Sequence, residues 1–246
     1  MASDLIMQST CCPTNLPPVK GNADYQRQGT LVKVDDFDLY TVGQGNKVVL
    51  ALYDVFGMHP NFFQGCDIIA SSGLRVVLPD FFKGDKWSGD FSDMQKFYAW
   101  IGKASDPVVL GQVYSKTIEY LQKEIGDDFT VGTLGFCWGA KPALEFAAKE
   151  SRIKAVGGIH PSMITLEHMK AVNVPIMELN SKDEAAGEDL QAELKSNANT
   201  EKNIWRVYPT MTHGWCGARG DWTNEEVAKE ANEAFGITAT FFKSNI

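Results

Sequence analysis

The feature that most restricts the fold is a regular alternation of short β-branched runs with helix-length segments. The runs are Thr30–Val34, Leu39–Val42, Val48–Tyr53, Arg75–Leu78, Thr130–Leu134, Ile153–Ile159, Pro175–Leu179 and Ile204–Val207. Several are apolar almost throughout, as in VVLALY and RVVL, a pattern that suits strands covered on both faces. Between them, Asn61–Ser71, Pro107–Glu124, Ala140–Lys149 and Glu225–Phe242 carry apolar residues at helical spacing. Strands joined through helices require right-handed crossovers and hence a mainly parallel sheet. The first two runs are close enough for a hairpin at Asp35–Asp36, so the sheet is expected to begin antiparallel. The expectation is an α/β fold, an open sandwich with a mainly parallel eight-stranded sheet and helices on both faces. Residues 1–28, punctuated by Pro and Asn, read as an N-terminal arm, and 29–246 as a single domain.

Composition narrows the function classes. The net charge of −8 disfavours phosphate backbones and anionic membrane surfaces, which require clustered cations, so neither nucleic acid nor membrane is an expected partner. No apolar run approaches the ~18 residues of a membrane span. The beginning, MASDLIMQST, has no basic region or sustained apolar stretch and does not read as a signal peptide. Five Cys cannot all pair internally, and reduced thiols in a cytoplasmic setting are expected. Cys11 and Cys12 read as exposed or loosely packed thiols in the arm, with no partner at zinc-ligand spacing. A monomer is the default expectation and a homodimer the alternative.

Open α/β sheets place their sites where strands end and loops lead into helices. That rule directs attention past Tyr53, Leu134, Leu179 and Tyr208. The segment FTVGTLGFCWGAKPALEFAAKE, residues 129–150, reads as strand, Gly135-Phe-Cys137-Trp-Gly139, then helix. This is the cysteine version of the nucleophile elbow. A strand turning sharply into a helix strains the central residue, and small residues two before and two after let the neighbouring backbone pass. The helix N-terminus behind Cys137 favours a thiolate and an oxyanion. A buried structural cysteine is the competing reading of this short pattern.

A nucleophile of this kind requires a base, which in this architecture follows the acid in chain order. Of the four histidines, His213, after the last strand and before the terminal helix, is the expected base. His160 ends the sixth run before Pro161 and either lines the pocket or satisfies a strand end. His59, before Pro60, reads as helix entry, and His168 as surface. The acid is expected after the seventh run, where Asp183, Glu184 and Glu188 are candidates. Asp183, four residues past Leu179, is the first choice and Glu184 the fallback. Its work is to fix the imidazole tautomer and stabilise the imidazolium.

The segments LYDVFGMHP, VVLPDFFKGD, VGTLGFCWGA, IHPSM and HGWCGARGD, in that order across residues 48–221, resemble the dienelactone hydrolase family. The likeness is to its carboxymethylenebutenolidase-like eukaryotic branch within the α/β-hydrolase superfamily. The resemblance implies a Cys-His-Asp triad of Cys137, His213 and Asp183, with Asp54 as the acid that contacts the resting thiol and switches it to thiolate. It implies the backbone N–H of Val55 as one oxyanion donor, beside that of Trp138, which immediately follows the nucleophile. Arg219 falls where the family reads a substrate carboxylate. The second arginine is replaced by Lys83, which supplies charge without bidentate geometry. Phe81 and Trp215, with Phe82 and Trp87, are candidates for an apolar wall, and His160 for a lining residue. The implied activity is hydrolysis of small-molecule ester or lactone bonds through an acyl-enzyme, with no metal or organic cofactor. A non-catalytic small-molecule binder on the same fold and a thiol redox protein are the alternatives.

Overall fold

A computed structural model describes residues 17–21, 24–88, 90–184 and 187–246. Eight strands form one sheet: β1 (Thr30–Val34), β2 (Phe37–Val42), β3 (Lys47–Leu52), β4 (Arg75–Pro79), β5 (Thr130–Phe136), β6 (Ile153–Ile159), β7 (Ile176–Ser181) and β8 (Ile204–Tyr208). Their order is β1-β2-β4-β3-β5-β6-β7-β8. β2 runs antiparallel to both β1 and β4, and every other pairing is parallel. The expected hairpin turns at Asp35, whose φ of 52° is one that Asp tolerates better than most residues.

The helices among the described residues are α1 (Pro60–Ala70), α2 (Met94–Ala104), α3 (Pro107–Ile125), α4 (Ala140–Ala147), α5 (Leu166–Ala171), α6 (Glu188–Ser196) and α7 (Glu225–Asn245). Their starts are chemically marked. Asp106 accepts from the Val108 and Val109 amides ahead of Pro107, and Asn224 from those of Glu226 and Val227. α1 and α7 share one face of the sheet. The α7 ring of Phe242 lies where a Cβ on Gly132 of β5 would collide with it, so the absent side chain makes room for helix against strand. Three helices, α2, α5 and α6, lie beyond the four expected from apolar spacing. The reason is thin burial: only Phe97 and Ile101 of α2, Met169 of α5 and Leu194 of α6 reach the core. β7 also continues two residues past Leu179, because Asn180 and Ser181 keep pairing with Val207 and Tyr208 although they are polar.

Residues 17–28, where described, lie against the body of the fold. Val19 donates its N–H to the Ala218 carbonyl at 2.9 Å. His59 caps α1 by accepting from the Asn61 N–H through Nδ1, so its Nε2–H donates to the Val19 carbonyl at 2.7 Å. Helix entry is thus what His59 does. His168 lies on α5, where its ring closes a capping box with Thr165. Cys11 and Cys12 lie outside the described residues. Among the described residues no helix is long and apolar enough to cross a membrane.

Candidate active site

Neighbouring parallel strands bring their carboxyl ends together, and five of them build this site. β5 leads directly into Cys137, which sits at φ 52° and opens a short 3₁₀ turn, Cys137–Gly139, ahead of α4. A Cβ on Gly135 would collide with the Gly139 carbonyl, and one on Gly139 would stand 2.7 Å from the Tyr53 carbonyl at the end of β3. The turn therefore closes only because both positions lack a side chain, as the G-x-C-x-G spacing implies. Cys137 is 2% exposed.

His213 follows β8 and is 1% exposed. Its Nδ1 lies 2.7 Å from Glu184 Oε1, while its backbone N–H donates to Asp183 Oδ2 at 2.8 Å. The expectation that Asp183 meets the imidazole is corrected here by one residue. β7 runs on to Ser181, and the turn after it hands Asp183 to the main chain of the His213 loop and Glu184 to the ring. Glu184 is itself held by the Ser181 N–H and, at 3.0 Å, by the Ser181 hydroxyl. Burial pulls the His213 pKa down, but the negative charge of Cys137, its hydrogen bond, and Glu184 together push it up to about 10. The imidazolium is thus the favoured form beside a thiolate.

Asp54, at the end of β3, is 2% exposed and accepts from the Phe56 N–H at 2.9 Å and the Ala218 N–H at 3.0 Å. Burial and then the charge of Cys137 raise its pKa to about 7, against the pull of those amides and of Arg219. Arg219 lies between two phenyl rings, 5.1 Å from the centroid of Phe56 and 5.5 Å from that of Phe91. Gly217, between Ala218 and the His213 loop, has no Cβ because one would stand 2.7 Å from Asp54 Oδ2 and 3.4 Å from His160 Cε1. Asp54 and His160 therefore face the same point. Val55 and Trp138 lie on the adjacent strand ends, since Leu52 pairs with Gly135 across β3 and β5.

His160, at φ 40°, is fully buried, and its ring lies edge-on to that of His213 with centroids 5.1 Å apart. Neither of its ring nitrogens has a hydrogen-bond partner among the described residues. Burial and the neighbouring His213 lower its pKa to about 3, so its imidazole is neutral. Two residues on, Ser162 is 2% exposed, with its Oγ 3.6 Å from the Cys137 sulfur. The strand-end rule applied past Ile159, as well as past the four other strands, would have reached it.

Three expected lining residues are engaged in other contacts. Lys83 is exposed, and its Nζ is held 2.6 Å from Asp36 on the β1–β2 turn, where an ion pair in water outcompetes a buried charge. Phe81 is buried beside Phe146 of α4. Trp215 packs on Tyr208 with ring centroids 4.5 Å apart, and its carbonyl accepts from Trp222 Nε1. Their apolar character serves packing, the commoner use of aromatics near strand ends. Phe82 packs on Trp138 and Trp100, and Trp87 on Phe91, Phe97 and Trp100. Among the described residues no three His, Cys, Asp or Glu side chains are grouped to hold a metal ion. Among the described residues Cys66, Cys137 and Cys216 form no disulfide with one another, and burial pushes the Cys66 thiol up to about 12 and the Cys216 thiol well above the ordinary range.

The strand order, the elbow after β5 and the histidine after β8 define an α/β hydrolase. The model of the dienelactone hydrolase family matches residues 38–245. The chain belongs to that family, and its class is that of hydrolases acting on carboxylic ester bonds. An AIM2 family protein of Schizosaccharomyces pombe is 32% identical over 245 residues, covering 95% of this chain and 98% of its own. The human carboxymethylenebutenolidase homolog is 26% identical, with 78% of this chain and 81% of that one covered. The crystal structure of a dienelactone hydrolase from Anabaena variabilis superposes with a TM-score of 0.57 at 14% identity, covering 90% of this chain and 98% of the other.

Proposed function

We propose that the protein hydrolyses small-molecule esters or lactones through a covalent thioester on Cys137, with His213 as proton carrier and Glu184 as the acid that orients it. The observation that carries this reading is the conjunction of Cys137 at φ 52° with the buried His213–Glu184 pair, Nδ1 to Oε1 2.7 Å.

The steps follow from the charges. Asp54, poised at about 7, and His213 compete for the thiol proton, and the ion pair of Cys137 and His213 is the reactive form. The thiolate adds to the carbonyl carbon, forming the C–S bond, and the carbonyl π pair becomes the oxyanion. The Val55 and Trp138 amides stabilise that oxyanion, each worth about 3–4 kcal/mol by comparison with other oxyanion holes. Collapse breaks the C–O bond, and the leaving alkoxide takes the proton of His213. Water then gives a proton to His213 and adds to the thioester, and the C–S bond breaks to release the acid. Glu184 keeps the Nδ1 proton in place throughout, and Asp183 fixes the loop that carries the ring.

His160 offers one N–H and one lone pair from a neutral ring, which suits a substrate oxygen near the scissile bond. Arg219, flanked by phenyl rings, suits a carboxylate on that substrate, while Lys83, engaged with Asp36, leaves the family's second cation without a counterpart. Dienelactone is therefore expected to be a poor substrate relative to simple esters. The test is hydrolysis of p-nitrophenyl acetate and of a dienelactone by the wild type and Cys137→Ala. Turnover that disappears in the variant supports the reading. Turnover that survives would sink Cys137 as nucleophile, and none in either protein, with ligands stabilising both, would favour a binder.

A further inference from the structure

The turn after β6 brings a second hydroxyl-bearing side chain to the nucleophile. Ser162 is 2% exposed, its Oγ lies 3.6 Å from the Cys137 sulfur, and its N–H donates to the Cys137 carbonyl at 3.0 Å. Two residues in this turn, His160 at φ 40° and Met163 at φ 60°, adopt backbone angles that side-chain-bearing residues rarely take. Strain on both sides of Ser162 means that its position against the sulfur is held by the surrounding fold.

We propose that Ser162 is a catalytic residue: its hydroxyl donates a hydrogen bond to the Cys137 sulfur whenever that sulfur is a thiolate. The inference rests on Cys137 being the nucleophile. Either atom can donate while the sulfur is protonated, but an O–H donating to S⁻ is charge-assisted and stronger than an S–H donating to a neutral oxygen. The difference lowers the thiol pKa. It also acts in the second half of the reaction, where the C–S bond breaks and the sulfur leaves with the electron pair. His213 already pairs with the thiolate, and Ser162 adds a second, uncharged donor to the same sulfur that stays in place when His213 gives up its proton. The backbone hydrogen bond to Cys137 needs no side chain, so removing the hydroxyl leaves the turn anchored.

The test is the pH dependence of Cys137 alkylation by iodoacetamide, read on its own peptide by mass spectrometry, in the full chain. For Ser162→Ala the midpoint is expected to rise by about one pH unit, the size of one hydrogen bond to a charged group. Ser162→Thr, which keeps the hydroxyl, is expected to restore it, and hydrolysis of the accumulated acyl-enzyme is expected to slow about tenfold in Ser162→Ala only. Should Ser162→Ala not fold, Ser162→Cys offers a near-isosteric but weaker donor, and its midpoint must also rise. An unchanged midpoint in a folded variant overturns the proposal, as does a rise that Ser162→Thr does not reverse, which would assign the effect to packing. Turnover surviving in Cys137→Ala would instead remove the nucleophile reading beneath it.

Discussion

The carboxyl ends of β5 and β7 lie two strands apart in one sheet and each supplies a piece of the same site, yet they are built by different physics. At the end of β5 the determinants are steric. Gly135 and Gly139 meet main-chain atoms where a side chain would be, and the Cys137 backbone has nowhere else to go. At the end of β7 the determinants are polar. Ser181, Asp183 and Glu184 share out the amide of His213, its ring and one another through hydrogen bonds, and of two adjacent carboxylates one takes the imidazole and the other the main chain. Sterics of the first kind admit one solution, while a hydrogen-bond network admits several that differ by a few kcal/mol.

The largest test of that contrast is a methyl group placed at each end. Gly135→Ala and Gly139→Ala must move backbone, and the expected outcome is loss of at least about 4 kcal/mol, or no folded protein. Gly187→Ala, beyond β7, meets the tip of the Trp205 ring at 2.9 Å and the Leu190 side chain at 3.1 Å, atoms that can turn aside. Its cost is expected to stay within about 1 kcal/mol. Melting temperatures of the three variants check this, and equal losses would erase the distinction.

The next test separates the two acids. Glu184→Gln keeps the shape but removes the charge facing Nδ1, and kcat is expected to fall by about 10²–10⁴, as for other triads deprived of their acid. Asp183→Asn keeps an oxygen for the His213 N–H, so its kcat is expected to fall by no more than about tenfold, with up to about 2 kcal/mol of stability lost with the charged acceptor. Esterase rates for both variants decide the assignment. A larger loss in Asp183→Asn would return the acid's role to Asp183.

This difference also explains what was legible in the sequence. Eight strands, the antiparallel start and the elbow follow from apolar runs and from glycines whose spacing has a steric meaning. The α2, α5 and α6 helices are not legible in the sequence, because one or two buried residues per helix leave little periodicity. Counting from Leu179, where the apolar run stops, points to Asp183, whereas β-pairing, which ignores polarity in the last two residues, stops at Ser181. Lys83 is a lining candidate through the family resemblance, and Phe81 and Trp215 through their nearness to strand ends, neither of which says which way a side chain leaves the backbone. His160 and Ser162 sit on a strained turn whose positive φ angles are invisible in residue types other than glycine.

The smallest effect expected concerns a carboxyl of β7 that has no counterpart on β5. Glu178 is fully buried over Gly158 of β6, where a Cβ would collide with it, and neither of its oxygens has a partner among the described residues. Burial, reinforced by the charge of Glu184, raises its pKa from 4.5 to about 8. Between those two values the folded chain holds a proton that the unfolded chain has released, so stability falls as pH rises through that window. Asp54, raised from 3.8 to about 7, adds a slope of the same sign over a lower range. Glu178→Gln cannot titrate and keeps the carboxamide close to the volume of the acid. Its melting temperature is therefore expected to decline less than that of the wild type between pH 5 and pH 9, with most of the divergence below pH 8. The slope left in the variant below pH 7 belongs in part to Asp54 and should shrink further in Asp54→Asn. Parallel melting curves for wild type and Glu178→Gln across that range would mean that Glu178 finds a partner for its charge, and that β7 is less costly in polar groups than its geometry implies.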